Sequence, residues 1–91
     1  IINRSEFVEM LTSEMEYVFT GMSRGVQGYE WAYNTNTQKI EAFAEGTSRS
    51  AQWVQFSQIR WDYLDLEEWT AAEYVEQYEN DFWTEYLDAL E

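Results

Sequence analysis

Along the chain the spacing of apolar residues changes twice. Phe7, Leu11, Met15, Val18 and Met22 recur at steps of four and three, the stripe of an amphipathic helix. Asn3 stands before it with Glu6 three residues on, which is capping-box spacing, and Ser5 is a second candidate cap. Gly21 is the expected stop, and Gly25 and Gly28 mark a following loop. From Tyr29 the period drops to two. Tyr29, Trp31 and Tyr33 share one face of a strand, with Glu30 and Ala32 on the other. Asn34-Thr35-Asn36-Thr37 is turn chemistry. Lys39–Ala44 reads as the returning strand, with Ile40, Ala42 and Ala44 on one side and Phe43 on the other. Gly46-Thr47-Ser48-Arg49-Ser50 is a polar loop, and residues 52–61 form a third strand. In it Val54 and Phe56 oppose Trp53, Ile59 and Trp61. Two consecutive hairpins make an antiparallel meander.

After Trp61 the helical period returns. Asp65 with Glu68, and Thr70 with Glu73, both have capping-box spacing. A helix from either start runs to about Leu90, because no Gly or Pro interrupts it. Ala71, Tyr74, Val75, Tyr78, Phe82, Tyr86 and Ala89 fall on one arc, and Glu73, Glu76, Asp81, Asp88 and Glu91 on the opposite one. The expected fold is α+β: a three-stranded antiparallel β-meander flanked by an N-terminal and a C-terminal helix (α-β-β-β-α), with the helices over one face. Ninety-one residues leave no room for a second core, so a single acidic domain over residues 1–91 is expected.

Composition then narrows the chemistry. An aromatic share of 19% is far too high for a disordered acidic tail. Each buried ring removes about 150–250 Å² from water, enough for a few of them to build a small core. The chain has no Cys and no His, which removes thiolate chemistry, the commonest general base and the commonest metal ligand. Lys39 is the lone lysine, and neither a usual triad nor a glycine-rich phosphate loop is present. Carboxylate pairs about 5–10 Å apart suit a glycosidase, but an acid-rich helix supplies such pairs by chance. Asp62, Asp65, Glu67 and Glu68 lie close together without the spacing or the glycine of a calcium loop. No enzyme, cofactor or metal is expected. Apolar runs of only a few residues predict neither a membrane span nor a signal peptide, and the expected location is the cytoplasm.

Charge is the feature that points somewhere. Of the net −13, residues 62–91 carry eleven acids and no base, whereas residues 1–61 hold seven acids against five bases. On a continuous helix that is about one charge per 4 Å, near the ~3.4 Å phosphate spacing of a DNA strand. Glu73–Glu76, Glu76–Glu79, Asp81–Glu85, Glu85–Asp88 and Asp88–Glu91 are like-charge pairs at helical spacing, each destabilising by a few tenths of a kcal/mol at about that spacing. A solvated face kept acidic for solubility is the plain explanation. Segregation and the lack of relieving bases favour a surface that presents carboxylates where a DNA-binding protein expects phosphates. The candidate partner-binding residues are Asp62, Asp65, Glu67, Glu68, Glu73, Glu76, Glu79, Asp81, Glu85 and Asp88. Trp69, Trp83 and Leu87 border this face, either packed on the strands or on a second copy, or serving as interface anchors. A symmetric homodimer is expected to cover apolar helix edges. The same charge argues against direct nucleic-acid binding.

In size, charge and its aromatic-acidic run Trp61-Asp62-Tyr63-Leu64-Asp65-Leu66-Glu67-Glu68-Trp69, continued through residues 73–91, the chain resembles the anti-restriction nuclease (Arn) family of T-even phages, which are DNA mimics. The resemblance implies a phage protein acting in the host cell cytoplasm. It would occupy the DNA-binding site of the restriction enzyme McrBC and compete with DNA for the nucleoid protein H-NS. No individual functional residue carries over, since the family has no catalytic motif to align. The alternative is an acidic interaction module whose basic partner has nothing to do with DNA.

Overall fold

A computed structural model describes residues 2–21, 27–61 and 69–91. Helix α1 spans Arg4–Gly21, strands β1, β2 and β3 span Gln27–Asn34, Lys39–Ala44 and Trp53–Trp61, and helix α2 spans Ala71–Ala89. This is the α-β-β-β-α layout that the change of period predicts.

Both helices start where side chains satisfy their first amides. Asn3 Oδ1 accepts from the Glu6 amide at 2.8 Å, and Asn3 Nδ2 donates back to the Glu6 carboxylate at 2.9 Å. Ile2 and Phe7 occupy the positions of a hydrophobic staple, and both are buried in one cluster. Thr70 caps α2 with a complete capping box: Thr70 Oγ1 accepts from the Glu73 amide and Glu73 Oε1 from the Thr70 amide. The alternative start at Asp65 with Glu68 lies outside the described residues, as do Met22 and Gly25. Phe7, Leu11, Met15 and Val18 line the buried side of α1, and Ala71, Val75, Phe82 and Tyr86 that of α2.

The sheet is antiparallel, but its order is β2-β1-β3, which is not that of a meander. The first hairpin forms as expected: Asn34 pairs with Lys39, and Asn34 Oδ1 accepts from the amides of Asn36 and Thr37. The second does not form. Ala44 lies beside Tyr29, whereas Trp53 lies beside Asn34 at the opposite end of β1, so residues 45–52 run back along the sheet. Trp31, Ala32 and Tyr33 explain this, because all three consecutive residues are buried and a strand buried on both faces belongs in the centre. β2, which carries exposed Lys39 and Glu41, is suited to an edge. The returning loop turns at Gly46, where φ is 86°, and lays Arg49 across the face that carries Ala32. There Arg49 Nη1 donates to Glu30 of β1 at 2.6 Å and Nη2 to Gln55 of β3 at 2.9 Å, with the guanidinium 5.3 Å from the Phe43 ring centre.

A second correction concerns β3. Its register against β1 shifts between Trp31 and Ala32, which pair with Ser57 and Gln55 and leave Phe56 as the extra residue. The bulge re-aims the strand, so Phe56 and Ile59 are both buried in the core instead of facing opposite ways. α1 packs on β2, α2 on β3, and the helices on each other. At the centre the Phe7 ring lies 5.6 Å from Phe56, 5.2 Å from Trp83 and 4.8 Å from Tyr86. Burial pushes the Tyr86 phenol up to about 12, although its oxygen accepts from the Ile2 amide.

Candidate functional site on helix α2

Amphipathic spacing puts Ala71, Val75, Phe82 and Tyr86 inside, with Tyr74, Trp83, Leu87 and Ala89 packed along their edge, and leaves most of the acids of α2 outward. Among the described residues, Glu73, Glu76, Asp81, Glu85, Asp88 and Glu91 are exposed and Glu79 is half-buried. The other four candidates, Asp62, Asp65, Glu67 and Glu68, lie outside the described residues. α2 begins at Ala71, so helical charge spacing applies to residues 73–88 and not to the whole acidic segment. Six carboxylates fall there within roughly 22 Å of helix axis.

They are not in single file. Glu79 turns toward α1, where Arg4 Nε donates to its Oε2 at 2.8 Å and Arg4 Nη2 donates to Asn80 Oδ1. Asp81 and Glu85 turn toward β3 and border a groove of about 130 Å³ with Ile59, Tyr74, Tyr78 and Phe82. Glu73, Glu76 and Asp88 run along the outer crest between these flanks. The Arg4 contact is a relief that the spacing of the acids alone does not show, because the cation comes from 75 residues away.

The described bases leave the crest and the β3 flank bare. Arg4 pairs with Glu79, Arg49 with Glu30 at 2.6 Å, and Arg60 with Glu45 at 3.4 Å. Two of these three pairs sit on the sheet and loop, away from α2. Lys39, at the start of β2, makes no ion pair with a described acid of α2. Glu73 keeps a structural role as half of the capping box.

Aromatic residues at the border behave as packing elements. Trp83 is half-buried, with its ring 5.2 Å from Phe7 and 5.4 Å from Tyr86. Leu87 packs against the core, and half-buried Trp69 makes an edge contact with Tyr74 at 6.4 Å. Large exposed hydrophobics among the described residues are Tyr17, 77% exposed, and Tyr78, 41% exposed. Most of the described aromatics that suggested a dimer are thus taken up by the core. Sequence reasoning missed the groove. The helical period puts Tyr78 and Asp81 on opposite arcs, yet they meet at the border where α2 faces β3.

Among the described residues no group of acids is arranged to hold a metal ion, and no helix is long and apolar enough to cross a membrane. Comparison with known families, curated proteins and solved structures finds no match to the chain.

Proposed function

We propose that the chain is a DNA mimic, whose α2 carboxylates occupy the DNA-binding site of a host protein such as a restriction enzyme or a nucleoid protein. The reading rests on charge and geometry, not on kinship. One observation carries it: the crest and β3 flank of α2 hold exposed carboxylates that no described cation neutralises, while the described arginines pair with acids elsewhere. A domain made acidic only for solubility gains nothing from leaving the crest and the β3 flank of one helix without a described cation while its single described α2 ion pair, Arg4–Glu79, sits on the other flank. Such a surface attracts a phosphate-binding cleft through long-range field as well as contact, and by the same sign it repels DNA itself.

The test separates array from bulk charge. Glu76, Asp88 and Glu91 are reversed to Lys in one variant, and Glu9, Glu16 and Glu41 on α1 and β2 in another; all six are exposed. Each variant changes net charge equally, and Glu73 is spared because it closes the α2 cap. Competition against labelled duplex on one restriction enzyme or nucleoid protein should fail for the α2 variant and survive in the other. Equal losses would mean that net charge alone acts. Binding to a basic protein that duplex does not displace would favour the acidic module unrelated to DNA.

A further inference from the structure

Building on that reading of α2, we propose that the groove between α2 and β3 receives an arginine side chain of the basic partner. Ile59 and Phe82, both buried, give the groove of about 130 Å³ an apolar part, with Ser57 and Gln58 of β3 completing its strand side. Tyr74 and Tyr78 form its aromatic wall, with ring centres 4.9 Å apart and the planes tilted by 41°. Tyr78 keeps 41% of its surface exposed, and besides Tyr17 it is the one described aromatic that is not at least half-buried. Asp81 and Glu85 stand on the rim four residues apart, which brings their Cβ atoms to roughly 5–6 Å. Neither carboxylate pairs with a described cation.

Charge sign and shape select the occupant. Two carboxylates exclude an anion, and among the described residues no group of acids is arranged to hold a metal ion. Arginine brings an apolar stem for Ile59 and Phe82, a planar cation that stacks on a tyrosine face, and five N–H donors that reach two carboxylates at once. A lysine ammonium is a strongly hydrated point charge and satisfies fewer of these features. The crest acids draw the partner in, and the groove fixes where one of its side chains sits. Arginine is also the side chain that proteins use most for bidentate contacts to phosphate and guanine, so a DNA-binding cleft offers it.

The probe is N-acetyl-arginine methylamide, titrated into ¹⁵N-labelled protein in ~0.15 M salt, a level at which distant charges are screened. Shifts should cluster on Ile59, Tyr78, Asp81, Phe82 and Glu85, and the lysine analogue should bind more weakly. Asp81→Asn with Glu85→Gln should lower affinity by at least about tenfold, as expected for losing charge-assisted hydrogen bonds. Glu76→Gln with Asp88→Asn removes the same charge from the crest and should change it less than about twofold. Tyr78→Leu, which leaves every charge in place, should weaken arginine more than lysine. Shifts scattered along α2, equal losses in the two double variants, or lysine bound as tightly as arginine would each overturn the groove. Those results would leave mimicry standing, because its test reverses Glu76, Asp88 and Glu91 and does not touch the groove. Loss of duplex competition by that crest variant, with arginine binding unchanged, supports both.

Discussion

Phe7 shows most directly how single residues hold this fold. It is fully buried on α1, yet its ring contacts Phe56 of β3 and Trp83 and Tyr86 of α2. Phe7→Ala should therefore cost about 3–5 kcal/mol in a urea titration, the usual loss for a buried ring whose site cannot collapse. Two carboxylates respond oppositely to pH. Burial between α1 and β2 raises Glu14 above its ordinary value of 4.5; the Ala42 amide partly offsets this, and Glu41 adds to the rise. The hydrogen bond from Arg49 lowers Glu30 below 4.5. A raised carboxyl favours folding in its protonated form, so Glu14's contribution is present at low pH and is lost as pH rises through its folded value. Glu30's contribution is present above 4.5 and is lost as pH falls through its lowered value. Stability should thus climb as pH drops from neutral toward 4.5 and decline below it, which urea midpoints across that range will show. Glu14→Gln should flatten the climb and Glu30→Gln the decline; a steady fall from neutrality in the parent would contradict the Glu14 assignment, and no decline below 4.5 would contradict that of Glu30.

At the scale of elements, α2 is stabilised at one end and opposed at the other. Its capping box is complete, but its last turn has no base, and Glu85 and Asp88 lie near the negative end of the helix dipole. Thr70→Ala should lose about 1 kcal/mol, whereas Asp88→Lys should gain about 0.3–1 kcal/mol. Both are read as shifts in the urea midpoint, and a loss from Asp88→Lys would mean that its carboxylate holds a contact stronger than the dipole term. The cap and the apolar arc were legible because each depends on residues within a turn of one another. Strand order was not, since a period of two tells which residues share a face but not which strand lies beside which. It was the unbroken burial of Trp31, Ala32 and Tyr33 that placed β1 in the centre, and alternation counting treated Ala32 as an outward residue. Alternation places Phe56 opposite Ile59 for a related reason, because one bulge reverses the parity of everything beyond it. The Arg4–Glu79 bridge and the groove beside Tyr78 escaped notice because both join side chains from different elements.

For the whole molecule, a net charge of −13 on a chain whose Cα radius of gyration is 12.6 Å makes self-repulsion a global term. Like charges on α2 and on α1 lie within a Debye length of their neighbours at low salt, since that length is about 30 Å at 0.01 M and about 10 Å at 0.1 M. Adding salt should therefore stabilise the free protein, with the thermal midpoint rising most steeply at the low end of the range. The same screening should weaken the complex proposed with a DNA-binding protein, because the attraction between carboxylates and a basic cleft is what salt removes. These two responses have opposite signs, and their shared origin makes the pair more informative than either alone. Melting curves and duplex-competition titrations would be run in the same buffers from about 0.02 to 0.5 M NaCl. The Glu76, Asp88 and Glu91 reversal should flatten both slopes, as it removes repulsion and attraction together. The Glu9, Glu16 and Glu41 reversal should flatten the melting slope while leaving most of the binding slope, since in the proposed complex only α2 meets the cleft. A binding slope that falls equally in the two variants would assign the attraction to net charge, and the phosphate-like role of α2 would be abandoned.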